Sequence, residues 1–323
     1  MNILVIGLGS MGRRRIRLIQ KLDPSIVVFG VDSNPQRKIQ AKNEFDIAVY
    51  SSLDEITPAT SITCAFICTD PSSHNGITSV CLNRGWHIFS EINLVSDGYD
   101  QHIQKASESD LVLFLSSTFL YKEEVSYIRN AVQGKRVNYT YHVGQYLPDW
   151  HPWEHYTEFF VSNKRTNGCR EILAIELPWL SNVFGAITEV TVHRGTLSSL
   201  PLNYPDFFML MVKHRSGCIG SIVVDVVSRK PIRNFEVFGE HVHVFWDGTP
   251  TGLSEYAIES KTLIPVNLYE HIDHQETYSP QIVENAYLEE IKAFFSAIEH
   301  HTVPVYDFVK DKIILSLIDT IEA

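Results

Sequence analysis

Residues 1–12 have the sequence MNILVIGLGSMG, and this stretch decides the fold. Residues 3–6 form an unbroken apolar run, which is typical of a central parallel strand that is covered on both faces. Gly7, Gly9 and Gly12 follow with the spacing GxGxxG, and the next residues, RRRIRLIQKL, have the apolar periodicity of a helix. Glycine suits these points because the turn is tight, a pyrophosphate approaches the backbone, and the helix packs closely on the strand. The stretch therefore predicts a phosphate-binding loop at a helix N-terminus.

Asp32 supplies the second half of this fingerprint. Residues 25–31 (SIVVFGV) predict the next strand, and Asp32 stands at its end, 20 residues after Gly12. A carboxylate at this point accepts the ribose hydroxyls of NAD, whereas Arg37 leaves NADP open because an arginine can clamp a 2′-phosphate. The predicted cofactor contacts in this part of the chain are Gly7, Leu8, Gly9, Ser10, Met11, Gly12 and Asp32.

Strand and helix patterns alternate as far as residue 118 and then give way to a different pattern. The alternation predicts a Rossmann-type, doubly wound parallel sheet, with the loops at Gly7, Asp32, Thr69 and Glu91 facing one cleft. From residue 188 onward, segments with period-two alternation predict an open, mostly antiparallel sheet. The expected fold is therefore α/β, with a dinucleotide-binding domain at 1–118 and a C-terminal α+β domain for substrate binding and oligomerisation at 119–323.

The composition of the chain excludes several classes of protein. The 323 residues carry a net charge of −11, which argues against a nucleic-acid surface. Neither a signal peptide nor an apolar run of membrane-spanning length is recognisable, so we expect a cytoplasmic protein without a membrane contact. Five cysteines, an odd number, favour buried thiols, and their spacing predicts no metal site. The basic run at residues 13–17 is either a solvated helix face or an attractor for a cofactor phosphate.

The run TDPSSHNGITSVCLNRGWHIFSEINL at residues 69–94 resembles two motifs of the glucose-fructose oxidoreductase and inositol dehydrogenase (Gfo/Idh/MocA) family. The resemblance implies an NAD(P)-dependent oxidoreductase whose loop after Thr69 lies along the nicotinamide and whose Glu91 lines the site. One departure is clear, because Ile92 and Asn93 stand where the family has lysine and proline, and isoleucine cannot transfer a proton. The matching positions are Thr69, Pro71, His74, Gly85, His87 and Glu91, of which Thr69, Pro71, His74 and Glu91 are predicted to contact the cofactor.

Residues 146–185 form the most aromatic and most unusual stretch of the chain, and its aromatic and histidine side chains crowd residues 146–156. Aromatic faces beside acids and imidazoles suit a sugar pocket, although a proline-kinked loop that plugs a core or a subunit contact is the plainer alternative. The segment also resembles YLPDWHPWE in family members from surface-polysaccharide and nonulosonate (sialic-acid-like) sugar pathways, which favours the sugar interpretation. The predicted substrate contacts are Tyr121, Tyr146, Trp150, Trp153 and His155.

The acid/base residue is less well defined than the cofactor loop. In the relatives an Asp and a His-Glu-x-x-Asp cluster handle the proton, but here these positions are Ile172, Ile175, Glu176 and Pro178, so only the glutamate is kept. Glu176, His151 and Lys164 are therefore the leading catalytic candidates, and the sequence does not choose among them. The remaining candidates are Glu171, Tyr146 and His155.

Three functions remain open at this point. The leading hypothesis is a sugar or nucleotide-sugar dehydrogenase that passes a hydride between a hydroxyl-bearing carbon and the nicotinamide. The second is a cofactor-binding but catalytically silent protein with a regulatory or partner role, because the usual lysine and histidine are missing. The third is a hydrolase or eliminase that uses NAD transiently. The family resemblance also implies a homo-oligomer, a dimer or tetramer, built through the C-terminal sheet.

Overall fold

The computed structural model describes residues 1–151, 154–275 and 282–323. These residues form two compact units, the first made of Met1–Ser117 and Tyr287–Leu315, the second of Thr118–Ala286 and Ser316–Ala323. The break after residue 117 lies next to the predicted one, but residues 287–315 group with the first unit, whereas we expected them in the second domain. The sequence pattern of an amphipathic helix shows that one face is buried and does not show against which sheet.

The first unit is built on a parallel sheet of six strands in the order β3-β2-β1-β4-β5-β6. This order, with its reversal between β1 and β4, confirms the predicted Rossmann-type fold. All five pairings are parallel, and residues 3–6 of the central strand are buried on both faces. The strands are β1 (Asn2–Ile6), β2 (Val27–Val31), β3 (Ala48–Tyr50), β4 (Cys64–Ile67), β5 (His87–Ser90) and β6 (Leu113–Leu115).

The helices of this unit follow the strands as the alternation predicted, with one addition. Asn34 caps α2 by accepting hydrogen bonds from two backbone N–H groups, and Pro35 is the first helical residue. The helix α4 was not predicted, because its segment is largely polar, with buried positions only at Tyr99, His102 and Ala106. The helices are α1 (Ser10–Leu22), α2 (Pro35–Phe45), α3 (His74–Asn83) and α4 (Tyr99–Glu108).

A cluster of phenylalanine rings explains why the C-terminal residues return to the first unit. Phe66, Phe89 and Phe114 stack on neighbouring strands, with centroid distances of 4.6 and 5.1 Å. Phe294, from α7 (Glu284–His300), meets these three rings edge-on or tilted at 5.4 to 5.6 Å. Burial of these large apolar faces holds the helix on the parallel sheet.

The second unit contains an eight-stranded sheet in the order β14-β13-β12-β11-β7-β10-β9-β8. Only β7 and β10 pair in parallel among the described strands, so the sheet is mostly antiparallel, as predicted. The strands are β7 (Asn138–Gly144), β8 (Ile187–Gly195), β9 (Phe207–His214), β10 (Ile219–Asp225), β11 (Ile232–Gly239), β12 (Val242–Trp246), β13 (Leu253–Ala257) and β14 (Thr262–Pro265).

Two helices, α5 (Glu123–Val132) and α6 (Gly168–Phe184), belong to this unit. Tyr139 and Tyr141 of β7 are buried on the face that carries α6, where Tyr139 stacks on Phe184 at 4.6 Å. Residues on the opposite face of β9, such as Met209 and Met211, are 50% and 61% exposed. The end of α8 (Phe308–Glu322) also belongs to this unit, where Glu322 and Asp319 pair with Arg170 at the start of α6.

Candidate cofactor and substrate sites

The glycine loop after β1 is built as a phosphate cradle. Gly7 adopts a φ of +91°, and its N–H donates to the Val31 carbonyl at 2.8 Å. A Cβ at Gly12 would lie 1.8 Å from the carbonyl oxygen of Gly7, so α1 packs too closely on the loop for any side chain. At Gly9, in contrast, no atom lies within 4 Å of the Cβ position. The space over Gly9 is the space that a pyrophosphate needs, so the loop fits a dinucleotide.

Asp32 is fixed beside this cradle. Its carboxylate accepts the backbone N–H of Leu8 at 2.8 Å and that of Asn34 at 2.7 Å. The side chain is 7% exposed, and each oxygen takes one of these backbone hydrogen bonds. These bonds hold the carboxylate at the end of β2 next to the glycine loop. A carboxylate so placed accepts ribose hydroxyls and repels a 2′-phosphate, which favours NAD.

His74 ties together the loop that follows β4. Its Nδ1 lies 2.6 Å from the side-chain oxygen of Asn93, and its Nε2 lies 3.0 Å from the carbonyl oxygen of Thr69. Burial lowers the pKa of His74, so the ring is neutral near pH 7 and has one N–H. Turning the Asn93 amide by 180° satisfies both contacts: the amide N–H2 donates to Nδ1, and Nε2–H donates to Thr69. Asn93 therefore orients the histidine that anchors this loop.

The other predicted residues of this loop have local partners. Thr69 Oγ1 lies 2.7 Å from Ser73 Oγ, and Pro71 begins a short 3-10 turn that is capped by Asp70. The structure thus brings Thr69, Pro71 and His74 into one rigid turn after β4. Their contact with the cofactor stays a prediction.

Arg15 corrects the expectation for the basic run. It is fully buried, and its guanidinium donates to Glu91 at 2.6 Å and to Glu290 at 2.7 Å. Burial alone would lower the pKa of Arg15, but the two carboxylates outweigh it and raise this pKa. Arg15 is therefore neither a solvated side chain nor a phosphate ligand. Glu91 is engaged in this internal pair, and its predicted role at the cofactor remains untested.

Glu176, the first catalytic candidate, is held by three donors inside the second unit. The Tyr141 hydroxyl donates to it at 2.7 Å, the Trp179 indole N–H at 2.6 Å, and Arg233 forms a short ion pair with it. Its side chain is 1% exposed. These three donors commit the carboxylate to its neighbours, which makes Glu176 a structural anchor for Arg233.

Lys122, which the sequence analysis did not single out, lies close to this cluster. Its ammonium group is 5.0 Å from the centre of the Phe119 ring and 5.7 Å from that of Trp246. Burial lowers the pKa of Lys122 to about 8, against the opposing effect of Glu124. No local motif marks this lysine, because its surroundings come from β12 and from the turn before α5.

Glu171 differs from Glu176 in its surroundings. Its Oε2 is shielded from solvent and has no hydrogen-bond partner among the described residues. Burial raises the pKa of Glu171 to about 7. The residue lies in the first turn of α6, where Asn167 caps the helix. A carboxyl group that titrates near neutrality and has an uncommitted oxygen is the kind expected of a general acid or base.

The start of α6 lies at the carboxyl ends of β7 and β10. A Cβ at Gly168 would be 3.1 Å from both Leu147 and Val226, which follow these two strands. It would also lie 3.4 Å from the ring of Trp150. The first turn of α6 and the beginning of the aromatic segment therefore meet at one end of the sheet.

The aromatic segment itself contains several short 3-10 turns. Tyr146 lies beneath the guanidinium of Arg229 at 4.0 Å, and the indole N–H of Trp150 donates to the Gln145 carbonyl at 3.0 Å. His151 stacks on Phe159 at 4.4 Å, and burial lowers its pKa. These contacts give the segment a defined conformation at its two described ends.

The remaining predicted residues are dispersed. His155 is exposed, and its Nδ1 lies 2.7 Å from Thr157 Oγ1. Lys164 is exposed in a short turn before α6, and Tyr121 ends the turn Thr118–Tyr121 before α5. Trp153 lies outside the described residues. No described contact brings His151, His155 or Lys164 to Glu176 or Glu171, and the catalytic and substrate roles of all these residues remain untested.

His142 and Asp225 form a pair that the sequence analysis missed. His142 Nε2 lies 2.7 Å from Asp225 Oδ2, and the same carboxylate accepts the N–H groups of Val227 and Ser228. Burial acts to raise the pKa of Asp225, but these hydrogen bonds outweigh it and lower this pKa. The carboxylate lies over Gly144, where a Cβ would be 2.5 Å from it. The pairing depends on the parallel register of β7 and β10, which no local pattern reveals.

The geometry of the glycine loop agrees with the comparison to known families. Residues 1–116 match the family model GFO_IDH_MocA, described as "Oxidoreductase family, NAD-binding Rossmann fold". Residues 1–116, the N-terminal domain, are therefore similar to this family. The match confirms the resemblance inferred from residues 69–94 and the prediction of NAD as the cofactor. No match was found among curated protein sequences.

Solved structures extend the likeness to the C-terminal half. UDP-N-acetylglucosamine 3-dehydrogenase GnnA from Acidithiobacillus ferrooxidans is 19% identical with a TM-score of 0.75, covering 100% of this chain and 96% of its own. A myo-inositol dehydrogenase from Corynebacterium glutamicum is 16% identical with a TM-score of 0.77, covering 99% and 95%. Levoglucosan dehydrogenase in complex with NADH is 17% identical with a TM-score of 0.79, covering 100% and 95%. At these identities the likeness concerns the fold.

None of the helices in the described ranges combines the length and apolar character needed to cross a bilayer. No group of three or more His, Cys, Asp or Glu side chains within residues 1–151, 154–275 and 282–323 is arranged to hold a metal ion.

Proposed function

We propose that this chain, whose residues 1–116 match the Gfo/Idh/MocA family model, is an NAD-dependent oxidoreductase that transfers a hydride to or from a hydroxyl-bearing carbon of a sugar or nucleotide sugar. The observation that carries the proposal is the open space over Gly9 beside a fixed Asp32, which fits a dinucleotide. The resemblance of residues 146–154 to members from surface-polysaccharide and sialic-acid-like sugar pathways supports such a biosynthetic role.

The cofactor would be held by the loop of Gly7 to Gly12, by Asp32 and by the rigid turn after Thr69. Bound NAD supplies a hydride acceptor at C4 of its nicotinamide. The N–H groups at the start of α1 would bind the pyrophosphate, and Asp32 would bind the adenosine ribose. NADP remains the alternative, with the exposed Arg37 as its phosphate ligand.

Glu171 is the group that we propose for proton transfer, since the family's lysine and histidine positions hold Ile92 and Ile175. Its uncommitted Oε2 can accept the hydroxyl proton of the substrate as the hydride leaves, and it returns this proton in the reverse direction. Glu176 is less suited to this role, because its carboxylate already accepts hydrogen bonds from Tyr141 and Trp179 and pairs with Arg233. We therefore rank Glu171 above Glu176, His151 and Lys164.

Two further parts of the proposal concern location and assembly. The free thiols of all five cysteines suit a reducing compartment, so we propose a cytoplasmic protein. Exposed apolar side chains on the open face of the second sheet, including Met209, Met211 and Ile219, suit burial in a homodimer or tetramer. Light scattering of the wild type and of Met211→Glu tests the assembly, because a monomeric wild type would contradict it.

A catalytically silent protein remains the second candidate. It is favoured by Ile92 and Ile175, which stand where the resemblance implies a lysine and a histidine. It is also favoured because Glu176, the one residue kept from the implied His-Glu-x-x-Asp cluster, is paired with Arg233. Such a protein would bind NAD and act as a partner or regulator in a sugar pathway.

The two candidates are separated by binding and turnover measured on the same preparation. The full chain is titrated with NAD and with NADP, and reduced nicotinamide is then followed by its absorbance with a panel of amino sugars and nucleotide sugars. Binding of NAD with turnover of one class supports the dehydrogenase. Tight binding of NAD without turnover of any of them supports the silent protein. Failure to bind either nucleotide would contradict both.

A further inference from the structure

We propose that Arg229 binds an anionic group, a phosphate or a carboxylate, on the sugar that this enzyme uses. The inference rests on the proposed function, because it names the chemical class of the substrate of that same enzyme. It selects a nucleotide sugar, a sugar phosphate or a sugar acid over a neutral monosaccharide.

The first observation is the state of the Arg229 side chain. The residue is exposed, and its guanidinium carbon lies 4.0 Å from the centre of the Tyr146 ring. Across the three described ranges of the chain, this guanidinium makes no hydrogen bond and no ion pair. Stacking fixes the plane of the guanidinium and leaves its N–H edge available. Such an edge suits a phosphate or carboxylate because it can donate two parallel hydrogen bonds.

The second observation is that the backbone holds this stack in place. Tyr146 N–H donates to the Ser228 carbonyl at 2.7 Å, and Leu147 N–H donates to the Val226 carbonyl at 2.9 Å. The segments that follow β7 and β10 are therefore joined by hydrogen bonds next to the stack. The guanidinium is oriented before a ligand arrives, which reduces the entropy that binding would cost.

The third observation concerns the neighbouring acid. Asp225 is close to Arg229 in sequence, but its carboxylate accepts from Val227 N–H at 2.9 Å and from Ser228 N–H at 2.7 Å. It also pairs with His142. Asp225 thus shapes the loop that presents Arg229 and does not neutralise it. Because the whole chain carries a charge of −11, capture of an anion depends on a local cation with fixed geometry.

The position of the stack supports a role in substrate binding. Leu147 and Val226, which flank it in sequence, are the residues against which Gly168 packs at the start of α6. Glu171 lies in the same first turn of α6. Arg229 and the proposed proton carrier therefore belong to the same end of the second sheet.

The test uses matched pairs of sugars with the full chain and saturating NAD. N-Acetylglucosamine is compared with its 1-phosphate and with UDP-N-acetylglucosamine, and glucose is compared with glucuronic acid. The variants are Arg229→Gln, which removes the charge, and Arg229→Lys, which keeps the charge but loses the flat fork. Arg136→Gln removes an exposed charge before the other end of β7 and serves as the control. Initial rates give KM and kcat, and calorimetric titration with UDP and with glucuronate measures binding without turnover.

We expect one anionic series to be preferred over its neutral counterpart, with the phosphate and carboxylate arms identifying which group is bound. Arg229→Gln should raise KM for that series about 10- to 100-fold with little change in kcat, because a charge-assisted pair is lost. Arg229→Lys should give a partial loss, and Arg136→Gln none. The inference is overturned if Arg229→Gln leaves binding of both anions unchanged, or if it weakens neutral and anionic sugars equally. If no sugar is turned over but Arg229→Gln abolishes anion binding, the anion site at Arg229 stands and the proposed activity fails.

Discussion

Replacement of Glu171 by glutamine separates its proposed chemical role from its effect on stability. The pKa of this carboxyl is raised to about 7 by burial. Its ionised fraction therefore rises from about one tenth at pH ~6 to about nine tenths at pH ~8. If Glu171 is the base in substrate oxidation, kcat/KM of the wild type should increase about tenfold across this range. Glu171→Gln should lose about 100-fold or more in kcat and show no such rise, since general-base catalysis contributes factors of about 10² to 10⁴.

The same substitution should stabilise the protein at alkaline pH. Folded Glu171 binds its proton more tightly than the unfolded chain does, because its pKa rises from 4.5 to about 7. The free energy of unfolding therefore falls as the pH rises through this window, and glutamine has no such dependence. The shift corresponds to at most about 3 kcal/mol, less where solvent screens the partly exposed group. Glu171→Gln should thus unfold at higher urea than the wild type at pH ~8, and this advantage should vanish near pH 4.5.

The assays are steady-state kinetics at pH values between about 5 and 8 and urea unfolding at pH values between about 4 and 8. Glu158→Gln, which removes an exposed carboxylate, is the control and should change neither property. The reasoning is refuted if the wild-type profile is flat across neutrality while Glu171→Gln keeps its rate. It is also refuted if the variant is no more stable than the wild type at the alkaline end.

Three other predictions follow from single contacts in the first unit. Gly9→Ala should keep the melting temperature, because its Cβ enters open space, yet weaken NAD binding at least tenfold. Gly12→Ala should lower the melting temperature, because its Cβ would lie 1.8 Å from a backbone oxygen. Equal effects of the two variants on melting temperature and on NAD binding would argue against the cradle. Asn93→Ala should weaken NAD binding several-fold in a fluorescence titration by releasing His74, and unaltered affinity would show that this pair does not position the loop. Glu290→Ala should lower the free energy of unfolding, measured with urea, by about 3–5 kcal/mol, because Arg15 loses a buried partner. The control Glu289→Ala, on the exposed side of α7, should lower it by under about 0.5 kcal/mol.

Much of the fold was predictable from local patterns. The apolar run at residues 3–6, the glycine spacing and Asp32 predicted β1, the loop and the end of β2, and the structure has each at those positions. Period-two alternation predicted most strands of the second sheet. The pattern missed α4 and β13, since their segments are largely polar or only partly buried, and hydrophobic periodicity is weak in such segments.

The candidate sites were predictable only where the residues that form a site are also close together in the chain. The cofactor loop is such a case, because Gly7 to Gly12 are consecutive and Asp32 follows on the adjacent strand. The isoleucines at positions 92 and 175, where the resemblance implies lysine and histidine, were also visible in the sequence. The choice between Glu171 and Glu176 could not be predicted, because it depends on which donors reach each carboxylate. Both glutamates lie on α6, whereas Tyr141 and Arg233, which contact Glu176, lie on β7 and β11.

What the sequence by itself determined is therefore a dinucleotide loop, because glycine spacing and a strand-end carboxylate are short-range properties of the backbone. What only the tertiary structure decided is the state of the charged groups. In the sequence Arg15 belongs to a basic run that is typical of a solvated helix face. In the structure it is buried in the first unit and pairs with Glu290, 275 residues away in the chain. Glu171 and Glu176 are five positions apart on one helix, yet one is uncommitted and the other is bound by three donors. Charge and proton affinity follow from solvation and partners, and these are set by packing between distant segments.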